Sequence, residues 1–171
     1  MSIAKEKLES FERTGNYVFH GSPDGNIEVL EPRQGNHVPD LSRPTDTVAD
    51  GRPAVSATPF LDFAIFRAII NSKNVNIKGT WTSGFGIEEE GRKSFRVSEQ
   101  DVLDQVRGKF GYVYVFDKKN FKPYTRGKGE GEGRPGSMEW RSYEKVLPID
   151  TIEVTDEDIP SAEQIQIGNR E

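Results

Sequence analysis

Tyr17-Val18-Phe19-His20-Gly21-Ser22 is an apolar strand that ends in a histidine, a glycine and a serine. Pro23-Asp24-Gly25-Asn26 follows at once and reads as a strong turn. The sextet therefore predicts a buried strand with a polar, conformationally permissive end. Upstream, residues 3–12 read as a short amphipathic helix with Ile3, Leu8 and Phe11 as its apolar members, stopped by Thr14-Gly15-Asn16. Downstream, Ile27, Val29 and Leu30 resume an extended segment. By itself the sextet reads as a strand running into a Gly-Ser turn, its histidine simply hydrogen-bonded.

The rest of the chain alternates short elements with long loops. Residues 32–53 hold four prolines and little apolar content, which predicts a long surface loop. Residues 54–57 predict a short buried strand. Thr58 as N-cap and Pro59 at the first position then predict a helix over 59–71, with Phe60, Phe63, Ala64, Phe66 and Ile70 on its apolar face. Residues 75–82 and 94–97 read as strands, and Ser98 as the cap of a further helix ended by Gly108. Tyr112-Val113-Tyr114-Val115-Phe116 is the strongest strand signal, aromatic and β-branched throughout. The glycine-rich residues 127–136 predict an exposed, mobile loop, and residues 138–147 and 151–155 predict closing strands. The expected fold is α+β: one compact domain over 1–155 with mostly antiparallel strands and few helices, followed by a polar acidic tail, 156–171, that frays.

Composition bounds the chemistry. With no cysteine there is no thiolate nucleophile, disulfide or Cys-based zinc site. A formal net charge of −5 argues against a dedicated nucleic-acid binder, although Arg126, Lys128 and Arg134 share one loop. No apolar run approaches the ~18 residues that span a bilayer, and Met1–Lys7 has no signal-peptide h-region, so a cytoplasmic location is the expectation. Gly131–Gly136 matches G-x-G-x-x-G, but no apolar strand precedes it and no helix follows, which excludes a Rossmann reading. There is no phosphate-loop motif and no G-x-S-x-G elbow. His20 and His37 are the only histidines and no H-E-x-x-H occurs, so no metal is expected.

Three segments, in order, carry a resemblance. They are His20-Gly21-Ser22, then Val55-Ser56-Ala57-Thr58 running into the helix with Ala64 and Phe66, then Glu139 in Met138-Glu139-Trp140 after the glycine-rich loop. Together they resemble the signature strands of the ADP-ribosyltransferases, most closely the diphtheria-toxin and poly(ADP-ribose) polymerase branch. The resemblance spans most of residues 16–147 and implies a split sheet.

It further implies NAD as co-substrate and a glycosyltransferase reaction, with ADP-ribose passed to an unknown protein or nucleic-acid acceptor. His20 would bond the adenosine ribose, Gly21 would let the backbone approach the nicotinamide carboxamide, and Ser22 would sit beside them. Ala57 would be the small residue of the second strand, and Phe66 would stack on nicotinamide. Glu139 would bond the nicotinamide ribose and stabilise its oxocarbenium character electrostatically. Val55 stands where the family has a tyrosine; it can wall the pocket but offers no hydroxyl. Two other readings stay open: an NAD-dependent RNA 2′-phosphotransferase-like enzyme, and a non-enzymatic binding or structural domain on the same fold.

Overall fold

The computed structural model describes residues 2–39, 42–43, 45–127 and 133–168. In chain order the elements are α1 (Ile3–Thr14), β1 (Tyr17–Ser22), β2 (Asn36–His37), β3 (Val48–Ala49), β4 (Val55–Ala57), α2 (Leu61–Ile69) and β5 (Ser83–Ile87). There follow β6 (Lys93–Val97), α3 (Gln100–Gln105), β7 (Phe110–Asp117), β8 (Lys122–Tyr124), β9 (Glu139–Ser142), β10 (Asp150–Thr155) and β11 (Ile165–Ile167). The fold is mixed α+β with mostly antiparallel strands, the expected class.

Among the described residues, four sheets share the strands. The aromatic strand β7 is the centre of an antiparallel sheet ordered β1-β7-β10, and β9 is the centre of another ordered β4-β9-β8. β6 pairs antiparallel with β5 and parallel with β11, and β2 pairs with β3. The first two sheets meet at one residue pair. Phe19 N–H donates to the Thr58 carbonyl at 2.7 Å, and Thr58 N–H donates to the Phe19 carbonyl at 2.9 Å. From that pair β1 and β4 run into different sheets, so the combined sheet is split.

Strand alternation sorts the core into two clusters. Phe19, Val113 and Val115 face α2, together with Phe63, Phe66 and Ile69. Val18, Tyr114 and Phe116 face the other way and pack with Val55, Ala57, Phe121 and Val146. Helix α2 lies directly on its sheet because two strand positions are glycine. A Cβ on Gly21 would stand 1.9 Å from the Ala64 carbonyl oxygen, and one on Gly111 would stand 2.0 Å from that of Ala68.

Several expectations need correction. Thr58 does not cap α2; Phe60 is the N-cap, Thr58 Oγ1 accepts from Phe60 N–H, and the next free donor, Leu61 N–H, goes to Glu12 of α1 at 2.6 Å. Residues 75–82 form no strand, since the chain turns at Gly79 (φ 95°) and pairing with β6 begins only at Ser83. Ser98 accepts from Thr82 N–H through its side chain, and α3 starts two residues later behind Glu99.

Of the expected tail 156–171, residues 156–168 are built into the domain, and residues 169–171 lie outside the described residues. Asp158 is buried and accepts from Ser2 and from Thr155 N–H, Ile165 enters the main cluster, and β11 extends the β6 sheet. The alternating Ile165-Gln166-Ile167 supplies the strand; it sits in a polar context that hides it. The expected loop 32–53 carries the β2–β3 pair and a buried aspartate, Asp50, while its residues 40, 41 and 44 lie outside the described residues. Of the expected loop 127–136, residues 128–132 lie outside the described residues, and Gly133 N–H bonds the Pro123 carbonyl at 3.0 Å.

Candidate functional site

A cleft of about 350 Å³ opens where β1 and β4 part, lined in part by His20, Ser22, Arg33, Val55, Ser56 and Arg141. Its position follows from the split. Past the Phe19–Thr58 pair the two strands no longer share backbone hydrogen bonds, and the Ser56 carbonyl is free to accept from a side chain. That donor is His20, whose Nδ1 lies 2.8 Å from the Ser56 oxygen. On the far wall, Arg33 and Ala54 exchange backbone hydrogen bonds at 3.1 and 3.0 Å, which fixes the 33–35 segment against β4. Below, the fully buried Tyr114 pairs with His20 across the β1–β7 ladder. Its hydroxyl donates to the Asp24 carbonyl and accepts from Ile27 N–H, tying the turn after β1 to the sheet.

His20 is biased toward its neutral form. Burial pushes its imidazole below the usual 6.5, the hydrogen bond to the Ser56 carbonyl pulls the other way, and the Arg33 charge adds to the depression. Donation from Nδ1 to a carbonyl sets the tautomer and leaves Nε2 as the acceptor.

Glu139 does not line the cleft itself but is bonded to two residues that do, Ser56 and Arg141. β4 and β9 pair with Ser56 opposite Arg141, so Ser56, Glu139 and Arg141 share one face of that sheet while Val55, Ala57 and Trp140 face the apolar cluster. Glu139 Oε1 accepts from Ser56 Oγ at 2.8 Å and from Arg141 Nε at 2.9 Å. One residue, Ser56, thus touches both His20 and Glu139.

Behind Glu139 lies a nearly dry pair of opposite charges, joined by the solvated Arg126. Arg141 is 5% exposed and Asp50 is 6% exposed. Arg141 bonds the Asp50 carbonyl at 2.7 Å and its carboxylate at 3.2 Å, and its guanidinium lies 3.5 Å from the centre of the Tyr124 ring. The Tyr124 hydroxyl donates to Asp50 at 3.0 Å, and Arg126 reaches the same carboxylate through two nitrogens. Burial would raise the Asp50 carboxyl, but the hydrogen bonds from Arg126 and Tyr124 and the two guanidinium charges carry it below its ordinary value.

The structure therefore brings His20, Ser22 and Val55 into one cleft, with Glu139 joined to it through Ser56 and Arg141, and it does not bring Phe66 there. Phe66 is fully buried on the opposite side of the β1 sheet, its ring centre 5.4 Å from Phe95 and 6.2 Å from Phe85. The cause is alternation: His20 points away from the face on which α2 lies. Gly21 points toward α2 and is glycine because the Ala64 carbonyl leaves no room for a Cβ. Residues missed by the sequence reading are Ser56, Asp50, Arg33 and Tyr124. Arg141 was within reach, since it stands two positions from Glu139 on one strand face. Nothing in the proline-rich 32–53 stretch marks Asp50 as a buried ion.

Among the described residues, no group of three or more His, Asp or Glu side chains is arranged to hold a metal ion. Among them, too, no helix is long and apolar enough to cross a membrane. No family model, curated protein or solved structure matches the chain.

Proposed function

We propose that the protein binds NAD in the His20 cleft and cleaves the nicotinamide glycosidic bond, passing ADP-ribose to an acceptor. The observation that carries this reading is the Ser56 bridge: its carbonyl takes the His20 Nδ1–H and its hydroxyl donates to Glu139. The two polar groups that such a reaction needs thus stand on either side of one residue, although they lie far apart in sequence. Neutral His20 offers Nε2 to a ribose hydroxyl. Arg33, exposed at the cleft wall, supplies a cation for the pyrophosphate. Glu139, with its side chain 35% exposed, faces the sugar whose C1′–N bond breaks. The bonding electrons leave with nicotinamide, and the carboxylate stabilises the oxocarbenium that forms until the acceptor's nucleophile closes on C1′ and sheds its proton.

A second reading, a domain that binds NAD without turnover, is favoured by Val55. It is buried and apolar where a hydroxyl would contact the nicotinamide end. Nicotinamide release separates the two. The wild type should release nicotinamide from NAD, and Glu139→Gln should lower that rate by roughly 10²–10³-fold, the usual loss on removing one electrostatic stabiliser. Equal rates in the two proteins would remove Glu139 from the chemistry. Binding without release would select the non-catalytic domain.

A further inference from the structure

We propose that Arg141, braced by Asp50, is the positioning residue for Glu139: it occupies one carboxylate oxygen and so presents the other to the ribose. This assignment rests on the NAD reading above.

Both donors to Glu139, Ser56 Oγ and Arg141 Nε, end on Oε1. Among the described residues Oε2 has no hydrogen-bond partner, on a side chain that is one-third exposed beside the cleft residues Ser56 and Arg141. A carboxylate held through one oxygen has its plane and its free lone pairs fixed in advance, which is what a transition-state stabiliser requires. Arg141 is suited to that task because it cannot move. Its remaining two nitrogens are spent on the Asp50 carbonyl and carboxylate, and its flat face is packed on Tyr124. Asp50 has an electrostatic part as well. A lone guanidinium against Glu139 would cancel the negative potential that a developing cation needs. With the Asp50 carboxylate on the far side of the same guanidinium, the Glu139–Arg141–Asp50 set keeps one net negative charge, and the balancing Arg126 is the more solvated member. Lysine could not substitute, since one ammonium nitrogen cannot meet the three acceptors at these separate positions.

The test compares wild type, Arg141→Lys and Arg141→Ala in NAD turnover, with melting curves to confirm that each variant is folded. Arg141→Lys should lower kcat for nicotinamide release on the order of 10²-fold, with KM for NAD within about threefold of wild type, because the clamp acts on the transition state. Added guanidinium should restore part of the Arg141→Ala rate and none of the Arg141→Lys deficit. A wild-type kcat in Arg141→Lys would overturn the proposal. If the wild type releases no nicotinamide, the NAD reading itself fails, and the clamp is then judged by NMR on the unmodified protein. Its Arg141 Nε–H should exchange slowly with solvent, and faster in Glu139→Ala. Exchange at the rate of a free guanidinium in the wild type would overturn the clamp whatever the ligand.

Discussion

His20 is the residue through which the site should respond to pH. Its folded-state pKa lies below the unfolded value of 6.5, chiefly through burial. The sign follows: near and above pH 6.5 the neutral ring costs nothing extra, and below it the unfolded chain binds a proton that the folded protein resists. The stability tied to His20 is therefore complete above about pH 6.5 and is lost as pH falls through the folded pKa. Melting temperatures of wild type and His20→Gln, measured between pH 8 and 5, should converge as the solution is acidified. Parallel curves across that range would mean that His20 titrates as an exposed imidazole. His20 and Glu139 were legible in the sequence because each closes or opens a strand beside a turn or loop. Ser56 was not, since its part is played by its carbonyl and by a register that only the folded sheet defines.

Helix α2 shows how one element separates packing from chemistry. It is apolar nearly all round because one side lies on the β1 sheet and another meets Phe85 and Phe95 of the β5–β6 sheet. Read as sequence, Phe66 sits on the helix's apolar face as a core ring would, and only the family resemblance gives it a ligand-stacking part. The choice is made by β1, whose alternation puts Phe19 and Gly21 under the helix and His20 on the other face. Phe66→Ala should accordingly destabilise the fold by about 3–5 kcal/mol, while any protein that remains folded keeps wild-type NAD affinity. Gly21→Ala should cost about 3 kcal/mol or more, because the added methyl must displace helix backbone. Urea titrations give both stabilities. A Phe66→Ala protein of wild-type stability that had lost NAD binding would restore the ring to the site. The β-branched and aromatic strands and the glycine stop of α1 were legible for local reasons. The true starts of α2 and α3 were not, because Glu12 reaches Leu61 from α1 and Thr82 engages the Ser98 hydroxyl, leaving Glu99 as the cap.

At the scale of the whole molecule, the two central sheets touch at Phe19–Thr58 and part beyond it, and the C-terminal segment secures the side away from the cleft. Asp158 ties to Ser2 and Lys5 at the start of α1, and β11 extends β6. Removing residues 156–171 should therefore lower the urea midpoint markedly by exposing Phe95 and Val97. An unchanged midpoint would mark the segment as dispensable. The acidic composition concealed this, since the few apolar residues of the segment are spaced for one short strand and one buried aspartate. The split itself is the central structural claim, for it leaves His20 of one sheet and Glu139 of the other bonded to the same residue, Ser56. Calorimetric titration of NAD into wild type, His20→Ala and Glu139→Gln tests the proposed use of this arrangement most directly. The expected result is binding by the wild type, a loss of roughly tenfold or more in His20→Ala from a hydrogen bond worth about 1.5 kcal/mol, and near-wild-type affinity in Glu139→Gln. No heat of binding in the wild type, or equal affinity in wild type and His20→Ala, would contradict it.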